Sequence, residues 1–192
     1  MKVLITGGAG FVGARLARTL LAAGSLAGRP IQQLVLADQV AAPPDLLADP
    51  RVVGRVGALL AQAAGLRDEA FGGVFHLASA VSGECEADFE LGLRSNLDST
   101  RALLDALRAR TEAGAAATRL VFSSSVAVFG PDPTVPLPAR VADDTLPAPQ
   151  TSYGTHKMIP ADGGGIPWGQ SADYSAKSNP PADWSGHSTR TR

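Results

Sequence analysis

A glycine-rich turn near the N-terminus constrains the fold more than any other feature of the chain. The turn reads TGGAGFVG and places Gly7, Gly10 and Gly13 at intervals of three residues. It follows a short apolar run typical of a strand buried on both faces, Lys2–Thr6, and it precedes a segment of helical composition, Phe11–Ala23. A strand joined to a helix by such a turn is the opening unit of an α/β fold with a parallel sheet.

Strands and helices alternate along the next hundred residues. Helical composition occurs at residues 58–66 and 86–110. Apolar, β-rich runs predict four further strands, at residues 33–38, 51–56, 73–78 and 119–125. Strands that alternate with helices favour a doubly wound parallel sheet with right-handed crossovers, the Rossmann fold.

The composition changes after the fifth predicted strand. Six prolines within residues 130–149 predict an extended loop over the carboxyl edge of the sheet. Beyond Ile159 the chain contains no Leu, Val, Phe or Met, and Pro160 is soon followed by three consecutive glycines. We therefore predict one domain over residues 1–159, whose last helix ends at about Ile159, and a largely disordered tail over residues 160–192.

Charge and composition disfavour several functional classes. The 192 residues carry a formal net charge of −1 and the basic residues are scattered, so neither nucleic acid nor a membrane is an expected partner. The first apolar run is too short for a signal sequence or a membrane span, and we expect a cytoplasmic protein. The single cysteine, Cys85, lies between Glu84 and Glu86, whose charges oppose a thiolate. No metal site is predicted, because the histidines show no ligand spacing.

The glycine turn predicts a bound dinucleotide. The first glycine turns the chain, the second lets backbone N–H groups approach a pyrophosphate, and the third brings the helix close to the strand. Asp38 closes the second strand, where a carboxylate would accept hydrogen bonds from the adenosine ribose and repel a 2′-phosphate. Residues 39–41 supply no arginine, and the phosphate loop GxxxxGK[ST] is absent from the sequence. These features predict NAD rather than NADP or ATP.

A tyrosine and a lysine predict a proton-transfer site. Tyr153 and Lys157 are four residues apart, so on a helix their side chains share one face. A phenol is a poor base at neutral pH, but a nearby ammonium favours its ionised form, which can accept a proton from a substrate hydroxyl. Ser123, Ser124 and Ser125 end the fifth predicted strand, where a hydroxyl can hydrogen-bond the reacting oxygen. A surface helix pair and strand-end capping are the alternative interpretations.

Several motifs together point to one family. In chain order they are TGGAGFVG, Asp38, HLAS, SNLDST, FSSSVAVFG and YGTHK. This series resembles the extended short-chain dehydrogenase/reductase family over residues 1 to about 159. The resemblance implies that Ser125 polarises the substrate oxygen, that Tyr153 is the general acid/base, and that Lys157 holds the nicotinamide ribose. It also implies that Asn96 supports the lysine through water. The residues that it assigns to NAD are Gly7, Gly10, Phe11, Val12, Gly13, Asp38, Leu77, Ala78, Ser79, Tyr153 and Lys157.

The resemblance also implies a substrate. The stretch HLASAVSGECEADFELGLRSNLDSTRALLDA, with Phe129 where nucleotide-sugar epimerases usually have tyrosine, favours oxidation of a hydroxyl in a sugar acid such as D-erythronate. A homodimer is compatible with it. Family members are much longer than this chain, and we hypothesise that residues 160–192 are a foreign or frameshifted tail. Two alternatives stay open: a nucleotide-sugar epimerase or dehydratase, and a non-catalytic remnant that keeps part of the NAD site.

Overall fold

A five-stranded parallel sheet forms the centre of the structure. The computed structural model describes residues 1–162, apart from residues 131, 135 and 143. In chain order the elements are β1 (Lys2–Thr6), α1 (Phe11–Ala23), β2 (Ser25–Leu26), β3 (Arg29–Pro30), β4 (Gln33–Asp38), α2 (Pro44–Leu47), β5 (Val52–Val56), α3 (Leu59–Leu66), β6 (Gly73–His76), α4 (Ser82–Ala87), α5 (Phe89–Gly92), a π-helix (Leu93–Asp98), α6 (Ser99–Glu112), β7 (Arg119–Phe122), a 3₁₀ turn (Val126–Val128) and α7 (Ser152–Asp162).

The order of the strands in the sheet confirms the predicted doubly wound fold. The sheet runs β5-β4-β1-β6-β7, and each neighbouring pair is parallel. The chain therefore moves outward in one direction from β1 to β5 and then crosses back to β6 on the other side of β1. The crevice at this reversal, outside the carboxyl ends of β1 and β6, is where ligands bind in such sheets.

Apolar side chains cover both faces of the sheet. Val3 and Ile5 of β1 pack on one face against Ala17 of α1, and all three are completely buried. Leu4 points to the other face and packs with Leu103 of α6. Successive residues of a strand point to opposite faces, so β1 can contribute to two apolar layers only because nearly every residue in it is apolar.

The long helix predicted over residues 86–110 is only partly right. Four shorter elements, α4, α5, the π-helix and α6, replace it. The break occurs at Asp88, which has an extended backbone and whose side chain accepts a hydrogen bond from the N–H of Leu91 at 2.9 Å. Aspartate favours this capping geometry over a helix interior, and an apolar pattern does not reveal it. None of the helices in the described part of the chain is long and apolar enough to cross a membrane.

The hairpin formed by β2 and β3 has no counterpart in the sequence prediction. Each of its strands has two residues, which is too short for any periodicity. Its turn places Ala27 and Gly28 at positive φ angles of 49° and 73°. The hairpin lies between α1 and β4 and does not join the main sheet.

The predicted end of the last helix is wrong by three residues. We expected Pro160 to stop this helix at Ile159, but α7 continues to Asp162. Proline removes one helical hydrogen bond, yet its φ of about −65° is itself helical, so the backbone can continue past it for part of a turn. The domain boundary at residue 159 stays a prediction. The tail predicted to be disordered lies, from residue 163 onward, outside the described residues.

Candidate functional site

The glycine turn is fixed by close contacts between backbone atoms. Gly7 adopts a φ of +71°, and its N–H donates to the carbonyl of Ala37 at 2.8 Å. A Cβ on Gly13 would lie 2.1 Å from the carbonyl oxygen of Gly7, and one on Gly7 would lie 2.9 Å from the backbone nitrogen of Ala78. No side chain fits at either position, so glycine is required there for the helix to start against the strand.

The N-terminus of α1 opens toward solvent next to this turn. Within the described residues no side chain caps α1, whose N-cap is Gly10, and its first turn holds no acidic residue. Phe11 and Val12 are 88% and 60% exposed. Because the first N–H groups of a helix lack intrahelical acceptors, this end of α1 presents donors and partial positive charge to any anion in front of it.

A cavity of about 750 Å³ opens at the same edge of the sheet. The predicted cofactor residues that line it are Gly7, Gly10, Phe11, Val12, Gly13, Asp38, Leu77, Ala78 and Ser79. Tyr153 and Lys157 are not among the lining residues in the described part of the chain. The sequence analysis missed Arg94, Ser95 and Ser99, which complete the wall from the π-helix and α6. Ser95 and Ser99 belong to the SNLDST motif and Arg94 directly precedes it, so this motif is the signal that could have found them.

Asp38 connects the cavity to the glycine turn. Its Oδ2 accepts a hydrogen bond from the backbone N–H of Ala9 at 2.9 Å, and its Oδ1 accepts from the N–H groups of Gln39 at 2.7 Å and Val40 at 3.4 Å. An ionised carboxylate has about four lone-pair positions, so it can still accept a hydrogen bond from a hydroxyl in the cavity. The same charge disfavours a phosphate at this place.

A buried hydrogen-bond chain holds the wall that follows β6. The Thr6 hydroxyl accepts from the N–H groups of Leu77 and Ala78 at 3.2 Å each, so its own hydrogen goes to Nδ1 of His76 at 2.6 Å. The ring hydrogen then lies on Nε2, which donates to the Thr100 hydroxyl at 2.8 Å. Burial lowers the pKa of His76 to about 3, so the ring is neutral.

Asn96 holds the adjacent part of this wall. Its Oδ1 accepts from the N–H of Ala80 at 2.7 Å and from the Ser79 hydroxyl at 3.1 Å. Its Nδ2 donates to the carbonyl of Ala80 at 3.1 Å and to Sγ of Cys85 at 3.2 Å. These contacts use both hydrogens of the amide and one lone pair of its oxygen in full, while the Ser79 hydrogen is shared with the carbonyl of Ala80 at 2.8 Å. The side chain positions the wall, and support of the lysine through water stays a prediction.

Tyr153 and Lys157 share one face of α7. Nζ of Lys157 lies 5.9 Å from the centre of the Tyr153 ring and 5.0 Å from that of Phe122. It donates a hydrogen bond to the carbonyl of Ser123 at 3.0 Å. Lys157 is buried, and burial lowers its pKa to about 8. A desolvated ammonium therefore faces the tyrosine ring at neutral pH.

A close backbone approach brings α7 to the segment that follows β7. A Cβ on Gly154 would lie 2.3 Å from the carbonyl oxygen of Ala127. The Ser124 hydroxyl donates to the carbonyl of Lys157 at 3.2 Å. Ser125 Oγ accepts from the N–H of Ala127 at 3.2 Å, and its own hydrogen has no acceptor among the described residues. Of the serines at this strand end, Ser124 therefore uses its hydroxyl hydrogen within the described residues, whereas Ser125, like the exposed Ser123, has a hydroxyl hydrogen left to donate.

Comparison with known proteins identifies the relatives of this chain. The profile of the NAD dependent epimerase/dehydratase family matches residues 3–161. The chain is 50% identical over 168 residues to D-erythronate dehydrogenase of Cupriavidus necator, which covers 83% of this chain and 48% of that protein. It is 40% identical to D-erythronate dehydrogenase of Haemophilus influenzae, with 83% and 47% covered.

Solved structures show the same likeness. The nucleoside-diphosphate-sugar epimerase of Agrobacterium tumefaciens matches with a TM-score of 0.75 and 39% identity, over 84% of this chain and 48% of that one. UDP-glucose 4-epimerase of Brucella ovis in complex with NAD matches with a TM-score of 0.64 and 27% identity, over 82% and 45%. The chain thus spans about half the length of these relatives. The family resemblance is confirmed, and the chain belongs to the NAD dependent epimerase/dehydratase family.

Proposed function

We propose that this chain is an NAD-dependent oxidoreductase that oxidises a hydroxyl of a sugar acid. The observation that carries the proposal is the placement of two features at one edge of one sheet. A cavity lined by the glycine turn and Asp38 lies there, and so do the helix of Tyr153 and Lys157 and the free hydroxyl of Ser125. The names of the two dehydrogenase relatives support D-erythronate as the substrate.

The residues of the cavity fit a dinucleotide. Backbone can approach a pyrophosphate closely because Gly7 and Gly13 leave no room for a side chain, and the uncapped end of α1 provides N–H donors. Asp38 suits the hydroxyls of an adenosine ribose, and its charge opposes the 2′-phosphate of NADP. Arg94 is the one cation among the lining residues that the structure describes. When bound, NAD supplies the acceptor for the hydride that leaves the substrate carbon.

The proposed acid/base chemistry belongs to the tyrosine end of the site. Ser125 donates its hydroxyl hydrogen to the substrate oxygen and so orients it. Tyr153 accepts the hydroxyl proton of the substrate as the C–H bond breaks. Lys157 keeps its positive charge below a pH of about 8 and lies on the same face of α7 as Tyr153. Asn96 and His76 keep the opposite wall in place.

Calorimetric titration with NAD and an assay of NADH formation with D-erythronate test this proposal. We expect NAD to bind and NADH to form, with turnover lost in Tyr153→Phe and NAD affinity within about twofold of the parent chain, because the glycine turn is untouched. NAD binding without NADH formation in the parent chain would favour a nucleotide-binding module without activity of its own. Failure to bind NAD would refute both the oxidoreductase and the inactive nucleotide-binding module.

A nucleotide-sugar epimerase is the second candidate. The solved structures that the chain resembles at 39% and 27% identity are named as epimerases of this kind. Such an enzyme returns the hydride to its substrate, so no NADH accumulates. Net formation of NADH from a sugar acid therefore separates the dehydrogenase from the epimerase.

A further inference from the structure

We propose that Glu86 is a positioning residue that holds Tyr153 in place by capping α7 from a neighbouring helix. Oε1 of Glu86 accepts a hydrogen bond from the Ser152 hydroxyl at 2.7 Å and from the backbone N–H of Tyr153 at 3.2 Å. Glu86 lies near the end of α4, 67 residues before Tyr153. The inference rests on the proposed function, since the chemistry of Tyr153 gives this contact its importance.

The N-terminus of α7 needs this carboxylate because its own first turn provides none. Thr151 precedes the helix, and its Oγ1 accepts from the N–H of Gly154 at 3.0 Å. This satisfies one of the free N–H groups of the first turn, but it leaves that of Tyr153 for another acceptor. The first turn of α7 contains no acidic residue, so Glu86 also supplies the negative charge that the positive end of the helix favours.

Glu86 is ionised in this arrangement. The hydrogen bond from Ser152, with the weaker one from Tyr153, lowers the pKa of Glu86 below its usual value. A carboxylate accepts two donors at one oxygen readily, and charged acceptors make the stronger hydrogen bonds. The contact is therefore present in full at neutral pH.

Apart from the Ser152 hydroxyl, which also lies 3.3 Å from the carbonyl of Cys85, the other contacts of α7 described here restrain its sides. Gly154 packs against the carbonyl of Ala127, and Nζ of Lys157 bonds the carbonyl of Ser123. His156 packs on the opposite side, with its ring centre 6.1 Å from that of Phe89. These contacts fix α7 laterally. Glu86 is the group that accepts the N–H of Tyr153 itself, and it thereby positions the backbone of this residue and the phenol that meets a substrate oxygen held by Ser125.

Amide hydrogen exchange on the full chain tests the contact without any need for activity. Glu86→Ala removes the acceptor, Glu86→Gln keeps an Oε1 acceptor without the charge, and Glu90→Ala is the matched control. Glu90 is an exposed glutamate four residues further on, in the first turn of α5, and its side chain makes no hydrogen bond or ion pair with the residues that the structure describes. We expect exchange at the amide of Tyr153 to accelerate about fivefold in Glu86→Ala, as for the loss of a helix cap. The exchange rate of this amide should return most of the way to the parent value in Glu86→Gln and stay at the parent value in Glu90→Ala.

Steady-state kinetics then measure the effect on chemistry. We expect kcat to fall about tenfold in Glu86→Ala and to recover in Glu86→Gln, because a displaced general base costs turnover. KM for NAD should not change, since the glycine turn is distant. A loss of active fraction would also lower the apparent kcat and leave KM unchanged, so kcat is referred to the folded fraction of each variant. Recovery of this corrected kcat in Glu86→Gln then distinguishes positioning of Tyr153 from general destabilisation.

Two results would overturn the proposal. Unchanged exchange at Tyr153 in Glu86→Ala would show that the contact does not hold the helix end. Faster exchange with an unchanged kcat would show that the contact holds the helix but not the tyrosine. If the parent chain forms no NADH, the proposed function fails, and exchange alone still decides whether Glu86 holds Tyr153. Ser152→Ala, which removes the other donor to Glu86, should accelerate the same amide if Glu86→Ala proves unfolded.

Discussion

The two ends of the proposed site lie at one edge of one sheet, but they are held in different ways. The glycine turn is fixed by excluded volume between backbone atoms, such as the 2.1 Å that a Cβ on Gly13 would leave to Gly7. The tyrosine end has one such close approach, at Gly154, and in addition polar contacts from distant segments, such as Glu86 to Tyr153 and Lys157 to Ser123. Damage to the turn should therefore abolish cofactor binding, whereas damage to the tyrosine end should spare it.

Gly13→Ala should produce the largest effect. The added Cβ meets a backbone carbonyl that has no room to move, so α1 must shift away from β1. We expect the free energy of unfolding to fall by about 3 kcal/mol, the upper part of the range for an overpacked core, and NAD binding to be lost. Denaturant unfolding and calorimetric titration measure the two effects.

Gly65→Ala is the matched control for that variant. Gly65 lies in α3, and a Cβ there would meet nothing within 4 Å. Alanine should raise the free energy of unfolding by about 0.5 to 1 kcal/mol, because it restricts the unfolded chain and favours the helix. Equal losses of stability in Gly13→Ala and Gly65→Ala would contradict the steric account of the turn.

The buried ammonium of Lys157 should make stability depend on pH at the tyrosine end. Burial lowers its pKa from 10.5 to about 8, so between these values the unfolded chain holds a proton that the folded chain has released. The free energy of unfolding should therefore rise with pH across this window, by up to about 3 kcal/mol. Lys157→Met should lack the rise and be the more stable chain below pH 8. Parallel profiles for both chains would show that the lysine is not desolvated.

Gly154→Ala should damage the tyrosine end alone. Its Cβ would lie 2.3 Å from the carbonyl of Ala127 and 3.0 Å from Cβ of Pro149, so α7 must move away from Ser125. We expect a loss of about 1 to 3 kcal/mol in unfolding free energy and a fall in NADH formation. NAD affinity should stay close to that of the parent chain. Gly83→Ala in α4, where a Cβ has open space, is the control. Loss of NAD affinity in Gly154→Ala would contradict the claim that the tyrosine end can be damaged without affecting the cofactor end.

Asp38→Asn should give the smallest of these effects. The amide has one acceptor oxygen, so it keeps the N–H of Ala9 or that of Gln39 but not both, and it loses the charge proposed to accept from the ribose. We expect NAD affinity to fall about tenfold, as for a hydrogen bond to a charged group, and discrimination against NADP to weaken. Asp45→Asn, which disrupts an exposed ion pair with Arg18, should leave both affinities unchanged. Stronger discrimination against NADP in Asp38→Asn would refute the role given to this carboxylate.

The sequence predicts the turn better than the tyrosine end for a physical reason. The turn is built from consecutive segments: a strand, the glycines and a helix. Hydrophobic pattern and glycine spacing therefore predict the whole strand–turn–helix unit. The bounds of β1 and α1 agree with the prediction residue for residue. The parallel, doubly wound character of the sheet also follows from the alternation of strands with helices, whereas the order of the strands comes from the structure.

The tyrosine end depends on contacts that no local pattern encodes. Nothing about Glu86 in the sequence indicates that it meets Tyr153, and nothing about Asn96 indicates that its amide holds Ala80. The break at Asp88 arises from a side chain that caps the next turn rather than from any loss of apolar periodicity. Pro160 shows the converse, since a residue that disfavours helix does not end α7.

Calorimetric titration of NAD into the parent chain, Gly13→Ala and Tyr153→Phe tests the central claim most directly. The claim is that the cavity beside the glycine turn is an NAD site whose integrity does not depend on the tyrosine. The account predicts one NAD bound per parent chain, no binding in Gly13→Ala, and an affinity within about twofold of the parent in Tyr153→Phe. Absence of binding in the parent chain, or equal binding in Gly13→Ala, would contradict it.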